Sequence, residues 1–228
     1  IGGPQLQDKA IPGADPERLP AGVDRSLRLP PPVFGVGLLE AIPDADLLAN
    51  ADPADADGDG ISGRPNYVMP PDFIAAHAIT GGALPVIGRF SRKAQVASIL
   101  AQTAGAYHQD MGITSDFLPV ENRNPLASVA TEAADRVPDP ELPASAVRSV
   151  VAYLRMLAPP APGAMTPNRE RGRDRFAAIG CAGCHVPAFR TGPAAIPALS
   201  NRTIEPYTDL LLHDMGDELA DNRPDGSA

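Results

Sequence analysis

Proline and glycine restrict the folding of this chain more than any other residue types. Its 228 residues include 27 prolines and 21 glycines, and eight of the prolines lie within residues 1–43. Proline cannot continue a helix interior or a central strand, so this segment is predicted to be an extended loop with one short helix from Val36 to Ala41. Hydrophobic residues make up 43% of the chain, but aromatic residues only 4%, and Trp is absent. We therefore expect a globular, loop-rich protein that is short of the usual core fillers.

Two segments have the pattern of amphipathic helices. The first is predicted to run from Ser91, as N-cap, to about Gln109. The second follows Pro143, repeats valine and leucine at helical spacing, and ends before Pro159.

A third helix is predicted after a short proline-rich linker. Thr166 is a suitable N-cap, and the helix should reach about Ile179. Gly172, Phe176 and Ile179 are predicted to face inward. No segment has a convincing strand pattern. We therefore divide the chain into a loop-rich helical region, 1–160, and a second module, 161–228.

The charge of the chain limits its partners. It carries 28 acidic against 19 basic residues, a formal net charge of -9, with acids concentrated in 44–59 and 205–225. Such a surface disfavours nucleic acid and favours basic redox proteins and divalent cations. No stretch approaches the roughly 18 apolar residues of a membrane span.

The pentapeptide Cys181-Ala182-Gly183-Cys184-His185 carries the clearest chemical signal. Cys-x-x-Cys-His is the attachment motif of c-type haem. Two thiols three residues apart reach the two vinyl groups at one porphyrin edge, and the adjacent imidazole becomes the proximal iron ligand. The sequence therefore predicts one covalent haem c.

Two other interpretations of the cysteines remain open. A redox dithiol has the same spacing but normally lies in a βαβ unit, for which the sequence gives no sign. A structural zinc site needs four ligands, and the two cysteines with His185 supply three. The remaining histidines, all distant in sequence, are His77, His108 and His213.

A second axial ligand of the iron would be Met or His. The candidates C-terminal to the motif are His213 and Met215. Each has a simpler alternative, since Met commonly fills a core and His213 could bond a haem propionate or a carboxylate.

An Asp-rich turn resembles the start of a calcium-binding loop. Acids at positions 1, 3 and 5, glycine at position 6 and a carbonyl at position 7 allow oxygens to converge on calcium. The candidate ligands at positions 1, 3, 5 and 7 are Asp55, Asp57, Asp59 and Ile61. Position 12 is Asn66 instead of a closing Glu, so another acid would have to complete the shell, and the alternative is a solvated turn. The acids available are Asp44, Asp46 and Asp52.

Six sequence blocks in order resemble the di-haem oxidoreductase family, often labelled thiol oxidoreductase-like, which is similar to bacterial di-haem cytochrome c peroxidases. The blocks are GPQLQDKAIPG (3–13), LPPPVFGVGLLEAIP (29–43), DADGDGISGRPN (55–66), GRFSRKAQVASILAQTAGAYHQDMGITSDFLP (88–119), RGRDRFAAIGCAGCHVPAF (171–189) and PYTDLLLHDMG (206–216). The resemblance implies two c-type haems, one for electron transfer and one near the substrate, with calcium between them in the peroxidase relatives. Two cysteines attach only one haem, so we expect the chain to be an excerpt without the first haem module and the C-terminal end.

The resemblance also implies where the substrate is processed. In the peroxidase relatives a segment like 88–112 borders the substrate-side haem, and an acidic residue there assists peroxide cleavage. Asp110 is its counterpart here, with Gln102 and His108 nearby. Moving a proton between the two peroxide oxygens is a suitable task for a carboxyl group.

Together these features predict a mainly α, loop-rich protein with cytochrome c-like helical domains around c-type haem. Electrons would pass from a donor protein to this haem, to a second haem, and on to peroxide or another small oxidant. Haem attachment in the family takes place outside the cytoplasm, which implies export to the periplasm or elsewhere in the bacterial cell envelope. The alternatives are a non-enzymatic mono-haem electron carrier and a haem-free zinc or dithiol protein.

Overall fold

The computed structural model describes residues 9–16, 18–22, 29–74, 84–122 and 133–219. Its helices are α1 (Val36–Glu40), α2 (Asp44–Leu48), α3 (Ile99–Asp110), α4 (Ala144–Met156) and α5 (Pro167–Ala178). Its strands are β1 (Gly63–Arg64), β2 (Tyr67–Val68), β3 (Val86–Ile87), β4 (Phe189–Arg190), β5 (Thr203–Ile204) and β6 (Leu212–His213). Each strand has only two residues, so long connecting segments make up much of the described chain.

Helix α4 is the centre of the first hydrophobic cluster. Its Val147 and Val151 are buried, and Val151 joins a cluster with Phe90 and Ile99. Pro143 is the N-cap of α4, and Leu157 follows its last residue, so the predicted bounds are confirmed. Helices α1 and α3 pack against this side of α4.

A second cluster joins distant parts of the chain. Ile42, Leu47 and Ile87 are buried together with Phe189, and Val186 packs against them. The backbone N–H of Gly192 also donates to the carbonyl of Ala41 at 2.8 Å. Residues before and after position 160 therefore share one core, whereas the division into regions 1–160 and 161–228 stays a prediction.

Two arginines tie the helices together through polar contacts. Arg155 on α4 donates from Nε to Glu40 Oε2 at 2.6 Å, and Glu40 Oε1 accepts from the N–H of Ile99 at 3.0 Å. Arg89 is buried, and its guanidinium pairs with Asp44 and donates to backbone carbonyls beside α1. These bonds connect the end of α1 to the start of α3 and the end of α4.

The predicted start of α3 at Ser91 is wrong. Ser98 is the N-cap, and its Oγ accepts from the N–H of Ala101 at 3.1 Å. The preceding residues instead form a tight reversal in which Phe90 and Val96 exchange backbone hydrogen bonds of 2.9 and 3.2 Å. Val96 packs in the same cluster three residues before Ile99, so its spacing extended the apolar pattern of the helix to a residue that precedes it.

The bounds of α5 are confirmed. Of its predicted inward residues, Phe176 packs against His185 and Tyr207, whereas Gly172 and Ile179 do not face inward. The Oγ of Thr166 accepts from the N–H of Arg169, and Gly180 ends the helix with a φ of 84°. No α5 residue is buried: Gly172 faces open space, and Ile179 just beyond the helix is 67% exposed. The charged sequence of α5 thus leaves the helix on the surface.

The sequence showed no convincing strand pattern, but the described residues form three two-stranded antiparallel sheets. They pair β1 with β6, β2 with β3, and β4 with β5. The first places Gly63 opposite His213 and Arg64 opposite Leu212. It therefore joins the Asp-rich turn to the segment that follows the cysteine motif. Within the described residues, no helix combines the length and the apolar character needed to cross a membrane.

Candidate functional site

The cysteine motif forms a compact turn directly after α5. Residues Cys181–Gly183 make a 3₁₀ turn, and the N–H of His185 donates to the carbonyl of Cys181 at 2.9 Å. Both cysteines are free thiols and half-buried, whereas His185 is exposed. The turn therefore presents two thiols and one imidazole close together.

A backbone carbonyl orients the imidazole of His185. Its Nδ1 lies 3.0 Å from the carbonyl oxygen of Tyr207, and Phe176 packs its ring 6.1 Å from the imidazole and 5.5 Å from Tyr207. Because a carbonyl only accepts hydrogen bonds, Nδ1 carries a proton, and in the neutral ring the lone pair is then on Nε2. This bond is the usual second contact of a metal-binding histidine.

A second histidine lies against Cys184. Nδ1 of His213 is 3.8 Å from Sγ of Cys184, and Nε2 of His213 is 2.6 Å from Oδ2 of Asp209. The predicted alternative, a bond from His213 to a carboxylate, is therefore present in the structure. Both ring nitrogens of His213 are engaged, while Met215 is 64% exposed. As second axial ligands, both residues stay predictions.

The thiol of Cys184 has a perturbed acidity. Burial is the main cause that raises the pKa of Cys184, and the negative charges of Asp209 and Asp59 add to it. Both effects disfavour a thiolate, so Cys184 is a neutral thiol at neutral pH.

The Asp-rich turn is closed by its own side chains. Asp52 Oδ2 accepts from the N–H of Ala56 at 2.8 Å, and this bond lowers the pKa of Asp52. Carboxylate oxygens of Asp52, Asp55 and Asp57 lie within 4.8 Å of one another. Asp59 instead accepts from the N–H of Ile61 at 2.8 Å. Of the predicted ligands, the structure thus brings Asp55 and Asp57 together, with Asp52 as the third acid.

The other two acids considered for closing this turn are not part of that group. Asp44 pairs with Arg89, and Asp46 lies on α2. Only Asp52 among the three proposed acids lies beside Asp55 and Asp57.

The Asp-rich turn touches the cysteine motif. A Cβ added to Gly183 would lie 2.5 Å from Cδ1 of Ile61. Glycine at this place in Cys-x-x-Cys-His therefore permits close packing of the two segments. Asp59 of this turn lies close enough to contribute to the raised pKa of Cys184.

The three predicted catalytic residues lie along α3 without converging. His108 Nε2 is 2.7 Å from the carbonyl of Val120, and Asp110 is exposed at the end of the helix. Desolvation nevertheless raises the pKa of Asp110. Gln102 Oε1 is buried without a hydrogen-bond partner among the described residues. Gln102 and Asp110 are separated by roughly 12 Å along the helix axis at 1.5 Å per residue.

An acidic group escaped the sequence analysis. Oxygens of Glu121, Asp139 and Glu141 lie within 4.8 Å of one another around buried Thr114, whose N–H donates to Glu141 at 2.9 Å. Burial, followed by the charge of Asp139, raises the pKa of Glu121 to about 7. No local motif signals this group, because tertiary contacts bring its members together.

One comparison with known proteins identifies a family. The family model described as "Di-haem oxidoreductase, putative peroxidase" matches residues 18–228. The chain belongs to this family. No curated protein and no solved structure matches the chain. The resemblance found in the sequence blocks is thereby confirmed.

Membership of the di-haem oxidoreductase family implies a haem cofactor, and the cysteine motif fits one. Cys181 and Cys184 are not joined in a disulfide, and the proton on Nδ1 leaves Nε2 of the neutral His185 ring available to iron. Three histidines were candidates for the fourth ligand of a zinc site. His213 lies beside Cys184, His108 bonds the carbonyl of Val120, and His77 lies outside the described residues. The donor set therefore suits a c-type haem.

Proposed function

We propose that this chain attaches one haem c through Cys181 and Cys184, with His185 as the proximal iron ligand, and serves electron transfer in a di-haem peroxidase-like oxidoreductase. The observation that carries the proposal is the bond from Nδ1 of His185 to the carbonyl of Tyr207 at 3.0 Å. It fixes the tautomer that an iron-binding imidazole requires. When bound, the haem supplies a one-electron redox couple whose potential depends on axial ligand and burial.

The chain's own residues have distinct roles in this proposal. His185 holds iron, Phe176 and Tyr207 support its ring, and Met215 is the favoured second ligand because both nitrogens of His213 are engaged. We assign α5 and the cysteine turn to a cytochrome c-like module of a mainly α protein. A second haem, held outside the motif of this chain, would receive the electrons.

Reduction of peroxide or another small oxidant needs protons as well as electrons. Asp110 is our candidate proton donor, since desolvation raises its pKa and favours its protonated form. Gln102 offers a buried carbonyl oxygen, and His108 positions the loop at Val120. These roles rest on family resemblance and on the surroundings of α3.

Calcium and a basic electron donor are the partners that the charge favours. Asp52, Asp55 and Asp57 would supply carboxylate oxygens, with Asp59 and the carbonyl of Ile61 as further ligands. A net charge of -9 would accelerate encounter with a basic redox protein. Because c-type haem is attached outside the cytoplasm in this family, we propose a periplasmic or otherwise exported protein.

The proposal is tested by counting covalent haem. The chain is produced in a host with a c-type haem maturation system, and haem per chain is measured from the reduced spectrum in alkaline pyridine. One haem per chain that the double variant Cys181→Ala/Cys184→Ala loses supports the proposal. A colourless protein with two free thiols or bound zinc would overturn it.

Peroxidase and carrier are then separated by activity. Peroxide turnover with a reduced donor, together with the spin state of the iron, is measured for the haem-loaded chain. A low-spin spectrum without turnover would favour the mono-haem electron carrier.

A further inference from the structure

A buried pair of Asp209 and His213 lies beside the cysteine turn. The side chain of Asp209 is 4% exposed and that of His213 is 14% exposed, and Oδ2 of Asp209 lies 2.6 Å from Nε2 of His213. Oδ1 of Asp209 accepts from the N–H of Leu211 at 3.0 Å, which holds the carboxylate in place. A carboxylate on one nitrogen of an imidazole is a usual second contact of a metal-binding histidine. The pair therefore presents Nδ1 of His213 as the atom that would meet a metal ion.

The distance between His213 and Cys184 is close to that of two ligands on one metal ion. Nδ1 of His213 lies 3.8 Å from Sγ of Cys184. Two ligands of a tetrahedral zinc ion, with bonds of about 2.3 Å to sulfur and about 2.1 Å to nitrogen, are about 3.6 Å apart. Because the ion displaces any proton from either atom, the fit holds for each protonation state of the pair.

Cys181 supplies a third donor from the same turn. It is a free, half-buried thiol three residues before Cys184, and two intervening residues are a usual spacing of paired zinc ligands. Among the described residues, the donor atoms of Cys181, Cys184 and His213 do not all lie within 4.8 Å of one another. Rotation of Cys181 about its Cα–Cβ bond is therefore needed to bring its sulfur onto the ion.

The surroundings of Cys184 favour a cation. The negative charges of Asp209 and Asp59 act on its sulfur, and the field that opposes a bare thiolate attracts a divalent ion. Strand β6 places His213 opposite Gly63, where a Cβ would lie 3.1 Å from Cε1 of His213. Glycine at this position therefore leaves room for the imidazole beside the thiol.

His185 is less suited than His213 to bind the same ion. It is exposed, and its Nδ1 lies 3.0 Å from the carbonyl oxygen of Tyr207. Within the described part of the chain, the hydrogen-bond contact between an imidazole and a thiol is that of His213 with Cys184. The histidine that would bind zinc thus differs from the histidine that would bind iron.

We propose that Cys181, Cys184 and His213 bind a zinc ion in the chain that has not received haem, with water as the fourth ligand and Asp209 holding the His213 ring. The site goes beyond the proposed function, because zinc and haem exclude each other at the two sulfurs. Binding releases the thiol protons to solvent and changes no oxidation state. Thioether formation at the two cysteines removes the site.

The experiment uses the full chain, produced without the c-type maturation system and kept reduced. Zinc affinity is measured by competition with a chromophoric chelator. Co²⁺ is then substituted for zinc, because its charge-transfer absorption counts the thiolate ligands and its d–d bands report tetrahedral geometry.

Four variants separate the proposed ligands from their neighbours. Cys181→Ser, Cys184→Ser and His213→Gln each remove one proposed ligand. His185→Gln is the matched control, because it removes the other histidine of this region and leaves the three proposed ligands in place.

We expect one zinc per chain and a two-thiolate, tetrahedral cobalt spectrum in wild type and in His185→Gln. Each ligand variant should bind zinc at least about tenfold more weakly than wild type. Equal affinity of His213→Gln and wild type would overturn the inference, and so would a loss caused by His185→Gln instead of His213→Gln.

Urea midpoints of the metal-free variants separate lost folding from a lost ligand. A wild-type cobalt spectrum without two thiolates would overturn the inference even if His213→Gln failed to fold. Absence of covalent haem after production with the maturation system would instead contradict the proposed function and leave the zinc result unchanged.

Discussion

Glu121 should make the stability of this protein fall as pH rises through neutrality. Its pKa is raised from 4.5 to about 7, chiefly by burial and then by Asp139, Asp135 and Glu141. Between these two pKa values the folded chain holds a proton that the unfolded chain has released. The folded state therefore binds more protons, and the free energy of unfolding decreases with increasing pH from about 4.5 to 7.

The size of the effect follows from the two pKa values. A rise from 4.5 to about 7 corresponds to about 3.4 kcal/mol at about 1.36 kcal/mol per pKa unit. Glu121 is only partly buried, so solvent screening reduces the contribution, and we expect about 1–2 kcal/mol. This penalty is absent at about pH 4 and complete by about pH 8.

The measurement is urea unfolding of wild type and Glu121→Gln at several values between about pH 5 and pH 8. The neutral amide cannot ionise, so the variant should gain about 1–2 kcal/mol relative to wild type across this range. Glu170→Gln, on exposed α5, controls for the removal of one negative charge. A stability difference that stays flat, or moves the other way with pH, would refute the reasoning.

Three further predictions concern α1 and the Asp-rich turn. Glu40→Ala should lower the free energy of unfolding by about 2–3 kcal/mol and Arg155→Met by about 1–2 kcal/mol. The loss is larger for Glu40 because it accepts from the N–H of Ile99 as well as from Arg155, and equal losses in urea titrations would contradict this. Gly37→Ala should cost about 1–3 kcal/mol, since its Cβ would lie 2.2 Å from the carbonyl oxygen of Arg155; an unchanged melting temperature would count against that packing. Calcium should raise the melting temperature of wild type more than that of Asp52→Asn, because the variant lacks one of three converging carboxylates; equal rises in calorimetry would remove Asp52 from the proposed site.

Local signals explain why α4 and α5 could be predicted almost to the residue. Pro143 and Thr166 mark the starts of these helices, and Gly180 ends the second. The start of α3 depends instead on Phe90 and Val96, which pair across a tight reversal. Apolar spacing alone assigns Val96, three residues before Ile99, to the helix, because the reversal buries it on the same side.

The candidate site divides in the same way. Cys181, Cys184 and His185 form a contiguous motif, so their chemistry can be read directly from the sequence. Asp209 gives no such signal, because its relation to Cys184 depends on the bond to His213 and on the pairing of β6 with β1. The residues that would hold haem are contiguous in the sequence, whereas Asp209 and His213 are brought beside them by tertiary structure.

The pairing of β1 with β6 also imposes an order on the biosynthesis of this protein. The ribosome adds Gly63 first, then the two cysteines, and His213 last. Gly63 is the residue that lies opposite His213 when β1 pairs with β6. A chain emerging in this direction presents Cys184 first without its hydrogen-bond partner, and the distant strands meet only after residue 213 has been added. The contact between Cys184 and His213 therefore forms only when β6 docks against β1.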